Sequence, residues 1–198
     1  MDKFSYAIGL GIGQNLLSMG ATGIEVDDFA QAIKDILEGN KTAISHAEAR
    51  DIVNKYFAEL EEKMNAASIE QGVQFLEENK KRPNVVTLPS GLQYEVINEG
   101  KVGTYAKATD QVKCHYEGTL IDGTLFDSSI KRGQPAVFGV NQVIPGWVEA
   151  LQLMPEGAKW KLYIPSDLAY GAQGAGEMIP PHSTLIFEVE LLEILSQK

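Results

Sequence analysis

The sequence predicts an α+β protein of two domains, an all-helical N-terminal domain followed by an antiparallel sheet that carries one short helix. Three observations lead to this prediction. The first part of the chain shows helical periodicity and few runs of β-branched residues. The remainder is dense in Val, Ile, Thr, Tyr and turn glycines, as is typical of strands joined by tight turns. The segment PNVVTLPSG, with Pro83 and Pro89, separates the two regions as a linker or a first strand.

Two short helices are expected at the N-terminus. In FSYAIGLGIGQNLL, apolar residues recur every four positions and form one stripe of a first helix that ends near Gly20. A second helix is indicated by its acidic start at Asp27 or Asp28 and by Gly39 behind its last apolar residues. The second helix is expected to be amphipathic.

A third, long helix is the most informative element of this domain. Ser45 and Glu48 form an S-x-x-E capping box, and no proline follows until Pro83, so we expect a continuous helix over about residues 46–82. Its first half carries an apolar face that two short helices cover only in part. We therefore expect residues 1–64 to form a homodimer, with the rest of the helix exposed as an arm. A monomeric bundle is the alternative.

The second half of the sequence indicates a sheet with one helix. Alternation in LQYEVI, DQVKCHYEGTL, AKWKLYIP and STLIFEVELLEIL predicts four strands. The segment GWVEALQLM predicts a short helix with Trp147, Ala150 and Leu151 on one face. A single helix packed against an antiparallel sheet is the simplest arrangement of these elements.

The composition argues against several classes of function. The formal net charge of -10 opposes broad attraction to nucleic acid or anionic lipid, because both reward clustered Lys and Arg. Cys114 is the sole cysteine, so no internal disulfide can form. We interpret Cys114 as a buried strand residue whose neighbour His115 points to the opposite face.

Neither a membrane span nor a cofactor is expected. Gln14 and Asn15 interrupt the apolar N-terminal run well short of a span, so we expect a cytoplasmic protein, or a periplasmic or surface protein if a leader has been removed. The sequence lacks the G-x-G-x-x-G, phosphate-loop, G-x-S-x-G and H-E-x-x-H motifs. Its three histidines have no metal-binding spacing, so we expect no metal.

Three segments carry a resemblance to a known family. YEGTLIDGTLFDSS, VIPGW and AYGAQGAGEMIPPHSTLIFEVELL resemble the catalytic domain of FKBP-type peptidyl-prolyl cis-trans isomerases, across residues 88–198. Residues 1–87, as a helical dimerisation and chaperone domain, resemble the bacterial subfamily that includes the macrophage infectivity potentiator proteins, which form V-shaped dimers. The resemblance implies a five- or six-stranded antiparallel sheet wrapped around a short helix.

The resemblance also implies a substrate pocket between the sheet and the short helix, with Trp147 as its floor. Asp127 and Tyr170 would have catalytic roles there. The substrate-binding positions it implies are Tyr116, Phe126, Arg132, Phe138, Val143, Ile144, Trp147, Ile179 and Phe187. Macrolide inhibitors of this family are implied as ligands, although Ala136 and Ala175 replace larger residues that are common at the rim.

The physical case for this chemistry is independent of the resemblance. Rotation about an X-Pro bond has a barrier of about 18 to 20 kcal/mol because of amide resonance, and an apolar pocket favours the twisted, less polar transition state. The Tyr170 hydroxyl and the backbone N–H of Ile144 can hold carbonyl groups of the peptide. Asp127, expected in a turn formed by FDSS, acts either near the rotating carbonyl or as part of a structural ion pair, for which the resemblance implies Arg132 and Tyr116 as partners.

We therefore expect a dimeric prolyl isomerase that assists the folding of unfolded or partly folded proline-containing polypeptides. The helical domain would capture these chains and raise the local concentration of X-Pro bonds at the pocket. A non-enzymatic chaperone or scaffold module that only binds proline peptides is the alternative function. In a third interpretation, the helical domain serves oligomerisation alone.

Overall fold

The computed structural model describes residues 1–195. The chain divides into two compact units, residues 1–63 and 64–198. This division falls inside the long helix, whereas the sequence placed the domain boundary after that helix, between residues 87 and 88. No helix among the described residues is long and apolar enough to cross a membrane.

The three predicted N-terminal helices are present, as α1 (Lys3–Ser18), α2 (Val26–Glu38) and α3 (His46–Asn79). Helix α2 ends at Gly39, which adopts the left-handed conformation with φ 70° that glycine accepts without steric cost. The Gly39 N–H donates to the carbonyls of Asp35 and Ile36 and closes the last turn, so the helix ends where the sequence indicated. Helix α1 also ends before Gly20, as predicted.

Helix α3 begins with the predicted cap. The Glu48 backbone N–H donates to Ser45 Oγ at 3.2 Å, which satisfies one of the free N–H groups of the first turn. The helix has 34 residues, and so a length of about 51 Å. It ends at Asn79, three residues before the predicted position. The N–H groups of Lys81 and Arg82 donate to residues three positions earlier, so the chain leaves the α-helix through tighter turns ahead of Pro83, which disfavours the helical conformation of Arg82.

The first unit has almost no core of its own. Ala21 is the only buried residue among residues 1–63. Large apolar side chains on all three helices are exposed in the single chain, including Phe4 at 76%, Leu37 at 81% and Ile52 at 54%. Residues 1–63 thus present an apolar surface without a partner within their own unit.

The second half of α3 does pack, and the prediction of an exposed arm is wrong for it. The Phe75 ring lies 6.0 Å from the ring of Tyr163. Gln93 Nε2 donates to the carbonyl of Leu76 at 2.9 Å, and Asn79 Nδ2 donates to Gln93 Oε1 at 2.8 Å. These contacts attach the end of α3 to the outer face of the sheet, and Asn79 is buried there.

The strands of the second unit are all antiparallel to their neighbours. In chain order they are β1 (Val85–Thr87), β2 (Gln93–Asn98), β3 (Lys101–Tyr105), β4 (Gln111–Leu120), β5 (Leu125–Ser128), β6 (Ala136–Gly139), β7 (Pro155–Glu156), β8 (Lys159–Ile164) and β9 (Leu185–Leu195). Seven form one sheet in the order β1-β2-β8-β9-β4-β5, with β6 also paired to β4, and β3 pairs with β7. The main sheet exceeds the expected five or six strands, since the short β1 and β6 join it.

The predicted short helix is α4 (Pro145–Leu153), and it approaches the sheet closely. Trp147, Ala150 and Leu151 are buried on one face, which confirms the predicted packing. Gly146 makes this approach possible, because a Cβ atom at that position would come within 2.6 Å of Ile164 Cγ2 on β8. The core of the protein lies between α4 and the inner face of the sheet.

Cys114 and His115 occupy opposite faces of β4, as the sequence indicated. Cys114 is fully buried, and burial raises the pKa of its thiol to about 12. His115 Nδ1 lies 3.0 Å from Ser129 Oγ on the other face. No group of three or more His, Cys, Asp or Glu side chains within residues 1–195 is arranged to hold a metal ion.

Candidate active site

A cavity of about 650 Å³ opens beside α4, within the size range of small-molecule and peptide sites. Strands β4, β5, β6 and β9, the start of α4 and the loop after β8 contribute its walls. The lining residues are Tyr116, Phe126, Asp127, Phe138, Gln142, Val143, Ile144, Trp147, Tyr170, Ala175, Gly176, Glu177, Met178, Ile179 and Phe187. The structure therefore brings together ten of the eleven residues predicted from the sequence, and the eleventh, Arg132, contacts two of them.

The indole of Trp147 lies at the centre of an aromatic cluster and is 3% exposed. The ring of Phe187 lies 5.2 Å from it, Tyr116 5.3 Å and Phe138 5.6 Å, with interplanar angles of 80° to 88°. Phe126 stands edge to face on Phe187 at 5.4 Å. Edge-to-face contact at these distances is a favourable arrangement for aromatic pairs, so the rings hold one another in position.

One polar cluster stands at the edge of this aromatic surface. The Tyr116 hydroxyl donates to Asp127 Oδ2 at 2.5 Å, and Arg132 forms an ion pair with the other oxygen of Asp127. Arg132 Nη2 also donates to the Tyr116 hydroxyl at 2.8 Å. Asp127 lies on strand β5 opposite Gly118, so the expectation that it sits in a turn is wrong. Pairing with β4 aims the carboxylate at Tyr116.

The environment moves the pKa values of this cluster in defined directions. Burial alone would raise the pKa of Asp127, but hydrogen bonds from Tyr116 and Arg132 and the charge of Arg132 hold it below its ordinary value of 3.8. Burial, followed by the hydrogen bond to Asp127, raises the pKa of Tyr116 above 10.0. The carboxylate is thus charged and the phenol neutral around neutral pH.

Tyr170 and Ile144, which both line the cavity, each carry a hydrogen-bond donor without a partner in the described part of the chain. The Tyr170 hydroxyl makes no hydrogen bond within the described part of the chain, and the residue is 41% exposed at the rim. The Ile144 N–H likewise has no acceptor among residues 1–195, whereas its carbonyl accepts from Trp147 and Val148 at the start of α4. Both donors are therefore available to carbonyl groups of a bound peptide.

Sequence reasoning missed part of the site. Gln142 and the loop residues Gly176, Glu177 and Met178 line the cavity. The available signal was their position in the chain, since Gln142 directly precedes the predicted Val143 and the other three lie between the predicted Tyr170 and Ile179. Gly118 was also missed. It lies beneath the two phenylalanines of the wall, where a Cβ atom would come within 2.6 Å of Phe126 and 2.7 Å of Phe187.

The sheet wrapped around α4 and the aromatic cavity define a proline-binding isomerase domain preceded by a helical domain. The model of the family "FKBP-type peptidyl-prolyl cis-trans isomerase" matches residues 103–192. A second model, "Domain amino terminal to FKBP-type peptidyl-prolyl isomerase", matches residues 1–96. The chain belongs to the family of FKBP-type peptidyl-prolyl cis-trans isomerases.

Known relatives extend over almost the whole chain. The FKBP-type 22 kDa peptidyl-prolyl cis-trans isomerase of Escherichia coli is 50% identical over 198 residues, covering 96% of this chain and 94% of the relative. The outer membrane protein MIP of Legionella longbeachae is 42% identical over 200 residues, 98% of this chain and 85% of the relative. The crystal structure of FkpA from Escherichia coli matches with a TM-score of 0.81 at 35% identity, over 98% and 96% of the two chains.

A methyl group at Gly118 should disturb the aromatic wall. We expect Gly118→Ala to lower the stability of the second unit by about 1 to 3 kcal/mol, since the added atom overpacks a filled site. It should also lower kcat/KM for a proline tetrapeptide by about tenfold, because Phe126 and Phe187 must move. Urea unfolding and a peptide isomerisation assay measure the two effects. Thr119→Ala, on the opposite face of β4, is the control, and equal behaviour of both variants would contradict the expectation.

The activity should not depend on pH near neutrality. Asp127 titrates below its ordinary value and Tyr116 above its own, so kcat/KM should be flat from about pH 5 to about pH 9. A pH–rate profile on the peptide tests this, and a transition with a midpoint near pH 7 would contradict it.

The same shift in Asp127 affects stability at low pH. Because its folded pKa lies below its unfolded pKa, the cluster contributes stability above about pH 4. That contribution is lost as the pH falls through the lower folded pKa.

Proposed function

We propose that the protein isomerises X-Pro bonds in unfolded polypeptides as a homodimer, with the catalytic step at the Trp147 cavity. The observation that carries the proposal is the cavity itself, in which aromatic and aliphatic side chains surround a buried indole. The relatives named as isomerases favour an enzyme over a module that only binds proline peptides.

The chemistry follows from the electronic change during rotation. In the planar amide, resonance gives the C–N bond double-bond character and separates charge. The twisted transition state has lost the double-bond character and the charge separation. Its transfer from water to an apolar pocket is therefore less unfavourable than the transfer of either planar form. Trp147, Phe126 and Phe187 supply the apolar surroundings and enclose the proline ring. No covalent bond forms or breaks in this reaction.

Positioning of the substrate adds to this effect. The Ile144 N–H and the Tyr170 hydroxyl each hold one carbonyl of the peptide, which fixes the chain as a turn around the proline. Donors that are already in place require little reorganisation during the reaction. These two groups are thus proposed to bind the flanking peptide units while the X-Pro bond rotates.

For Asp127, the geometry supports a structural role over direct action on the substrate. One carboxylate oxygen accepts from Tyr116 and the other from Arg132, so both oxygens already have donors. The pairing orients the Tyr116 ring against Trp147 and leaves the cluster without net charge. A balanced cluster at the cavity edge preserves the low polarity that the reaction needs.

The helical unit is proposed to form the dimer. Residues 1–63 bury only Ala21 within the single chain, although Phe4, Ile36, Leu37 and Ile52 are large and apolar. A unit with so little core gains most of its stability from a partner, and obligate dimers often have no stable folded monomer. A second copy of the same helices is the partner proposed.

The same unit is proposed to hold unfolded chains near the cavity. Apolar surface at the helical unit binds exposed hydrophobic segments of a client, and this raises the effective concentration of its X-Pro bonds at the catalytic site. The proposal extends to macrolide inhibitors of the FKBP class, since the aromatic walls suit a proline-like ring. Ala175, which lines the cavity, offers such a ligand less contact than a larger side chain.

The experiment compares the full chain with residues 64–198, a unit that contains all the buried apolar residues except Ala21. Both should isomerise a short proline peptide with similar kcat/KM, whereas only the full chain should speed a proline-limited refolding reaction strongly and have the mass of a dimer. Peptide rates at the uncatalysed background would contradict the isomerase. Equal rates on the refolding client would contradict the capture role.

A further inference from the structure

One wall of the cavity is a long loop, residues 170–184, between β8 and β9; we call it the pocket loop. Its tip carries the lining residues from Ala175 to Ile179. The two legs are tied by a bridge, in which the Ala175 N–H donates to the Ile179 carbonyl at 2.9 Å and the Ile179 N–H returns to Ala175 at 3.2 Å. At the base, the His182 N–H donates to Gly171 at 2.8 Å. These three hydrogen bonds tie the two legs of the loop to each other.

Helix α3 contacts this base from the outer side of the sheet. Ser68 Oγ donates to the carbonyl of Pro181 at 3.1 Å. One turn further along the helix, buried Gly72 lies so close to Thr184 that a Cβ atom would stand 2.5 Å from Thr184 Oγ1. Residues four apart share one helix face. Ser68 and Gly72 therefore both contact the part of the pocket loop that leads into β9, residues 181–184.

The helix is itself fixed at its far end. Arg82, just beyond α3, donates to Tyr163 on β8 at 2.8 Å and to Glu95 on β2 at 2.8 Å. The pairs Asn79–Gln93 and Phe75–Tyr163 add anchors to the same strands. A helix held at one end by the sheet can transmit its position to the loop base that it touches at the other.

We propose that the end of α3, residues 68–79, is a brace that sets the position of the pocket loop, with Ser68 and Gly72 as positioning residues for the isomerase. Only one residue, Pro180, separates Pro181 from Ile179 in the cavity wall. A displacement of Pro181 or Thr184 at the base of the loop should therefore also displace Ile179, because hydrogen bonds join the two legs of the loop. The brace belongs to the catalytic unit and not to the proposed capture unit. It rests on the isomerase function proposed above.

The central test is a double-mutant cycle in the full chain. In a helix interior, replacing glycine by alanine ordinarily stabilises the helix. Gly72→Ala should nonetheless lower kcat/KM for a proline tetrapeptide by about tenfold, mainly through KM, since the methyl group pushes Thr184 and the loop base. In a Thr184→Ala background the methyl group has room, and the same change should have little effect. Loss of the effect in the double variant identifies the contact as its source.

A second variant removes the hydrogen bond between Ser68 and Pro181 without adding volume. Ser68→Ala should raise KM by a few-fold with kcat almost unchanged, because the Pro181 carbonyl loses its donor while the catalytic groups stay in place. Val73→Ala, at a 56% exposed position about 100° around the same helix from Gly72, is the matched control and should match the wild type.

A stability control separates positioning from general destabilisation. Gly100→Ala, in the turn between β2 and β3 and outside both the brace and the cavity lining, places a Cβ atom within 2.4 Å of the Ala158 backbone N at a left-handed φ of 70°, so it should lower the urea midpoint while its kcat and KM stay at wild-type values below that midpoint. The brace is contradicted if Ser68→Ala and folded Gly72→Ala keep wild-type KM. It is contradicted equally if Gly100→Ala raises KM as much as they do. Both outcomes are differences between variants and the wild type, so neither would contradict the isomerase activity of the wild-type protein.

Discussion

Three aromatic rings meet the indole of Trp147 edge to face, a fourth packs on one of them, and the rest of the catalytic unit makes room for this cluster. Strand β4 must carry a glycine at position 118, because the two phenylalanines of the wall fill the space of a side chain there. Helix α4 must lie close to β8, and Gly146 permits this. Small residues in the framework thus make room for large residues at the site.

Electrostatic balance follows from the same constraint. A cavity that lowers the energy of a less polar transition state loses its advantage if an unpaired charge faces it. Asp127 is accordingly matched by Arg132 and Tyr116 at the cavity edge, with its pKa held low. Glu177, the other acidic residue of the lining, lies on the exposed part of the pocket loop. The charged groups thus lie at the edge of the cavity and away from its aromatic floor.

Much of this could be predicted from the sequence, for physical reasons that differ between elements. Helix α3 was predicted because the cap at Ser45 and the stop at Pro83 are local signals. The long strands alternate over enough residues to be recognised, whereas β3, β5, β6 and β7 are too short to show a period. The cavity residues were identified through family motifs. Their roles remain predictions.

The brace could not be predicted, because its side chains are small or polar. The residues of α3 that face the sheet include Ser68, Gly72 and Asn79, which give no apolar stripe. The apolar residues in the same stretch, Ile69 and Val73, are 45% and 56% exposed. The hydrophobic pattern therefore predicted an exposed arm. In the structure, hydrogen bonds and the close contact of Gly72 attach this part of the helix to the catalytic unit. Only three-dimensional placement reveals such a contact.

The central claim is that the cavity accelerates bond rotation by desolvation and positioning, without transfer of a proton. The most direct measurement is kcat/KM for a proline tetrapeptide in light and in heavy water at matched pH and pD. With no proton moving in the transition state, the two rates should be nearly equal. A markedly slower reaction in heavy water would show that a proton is transferred in the transition state and would contradict the account.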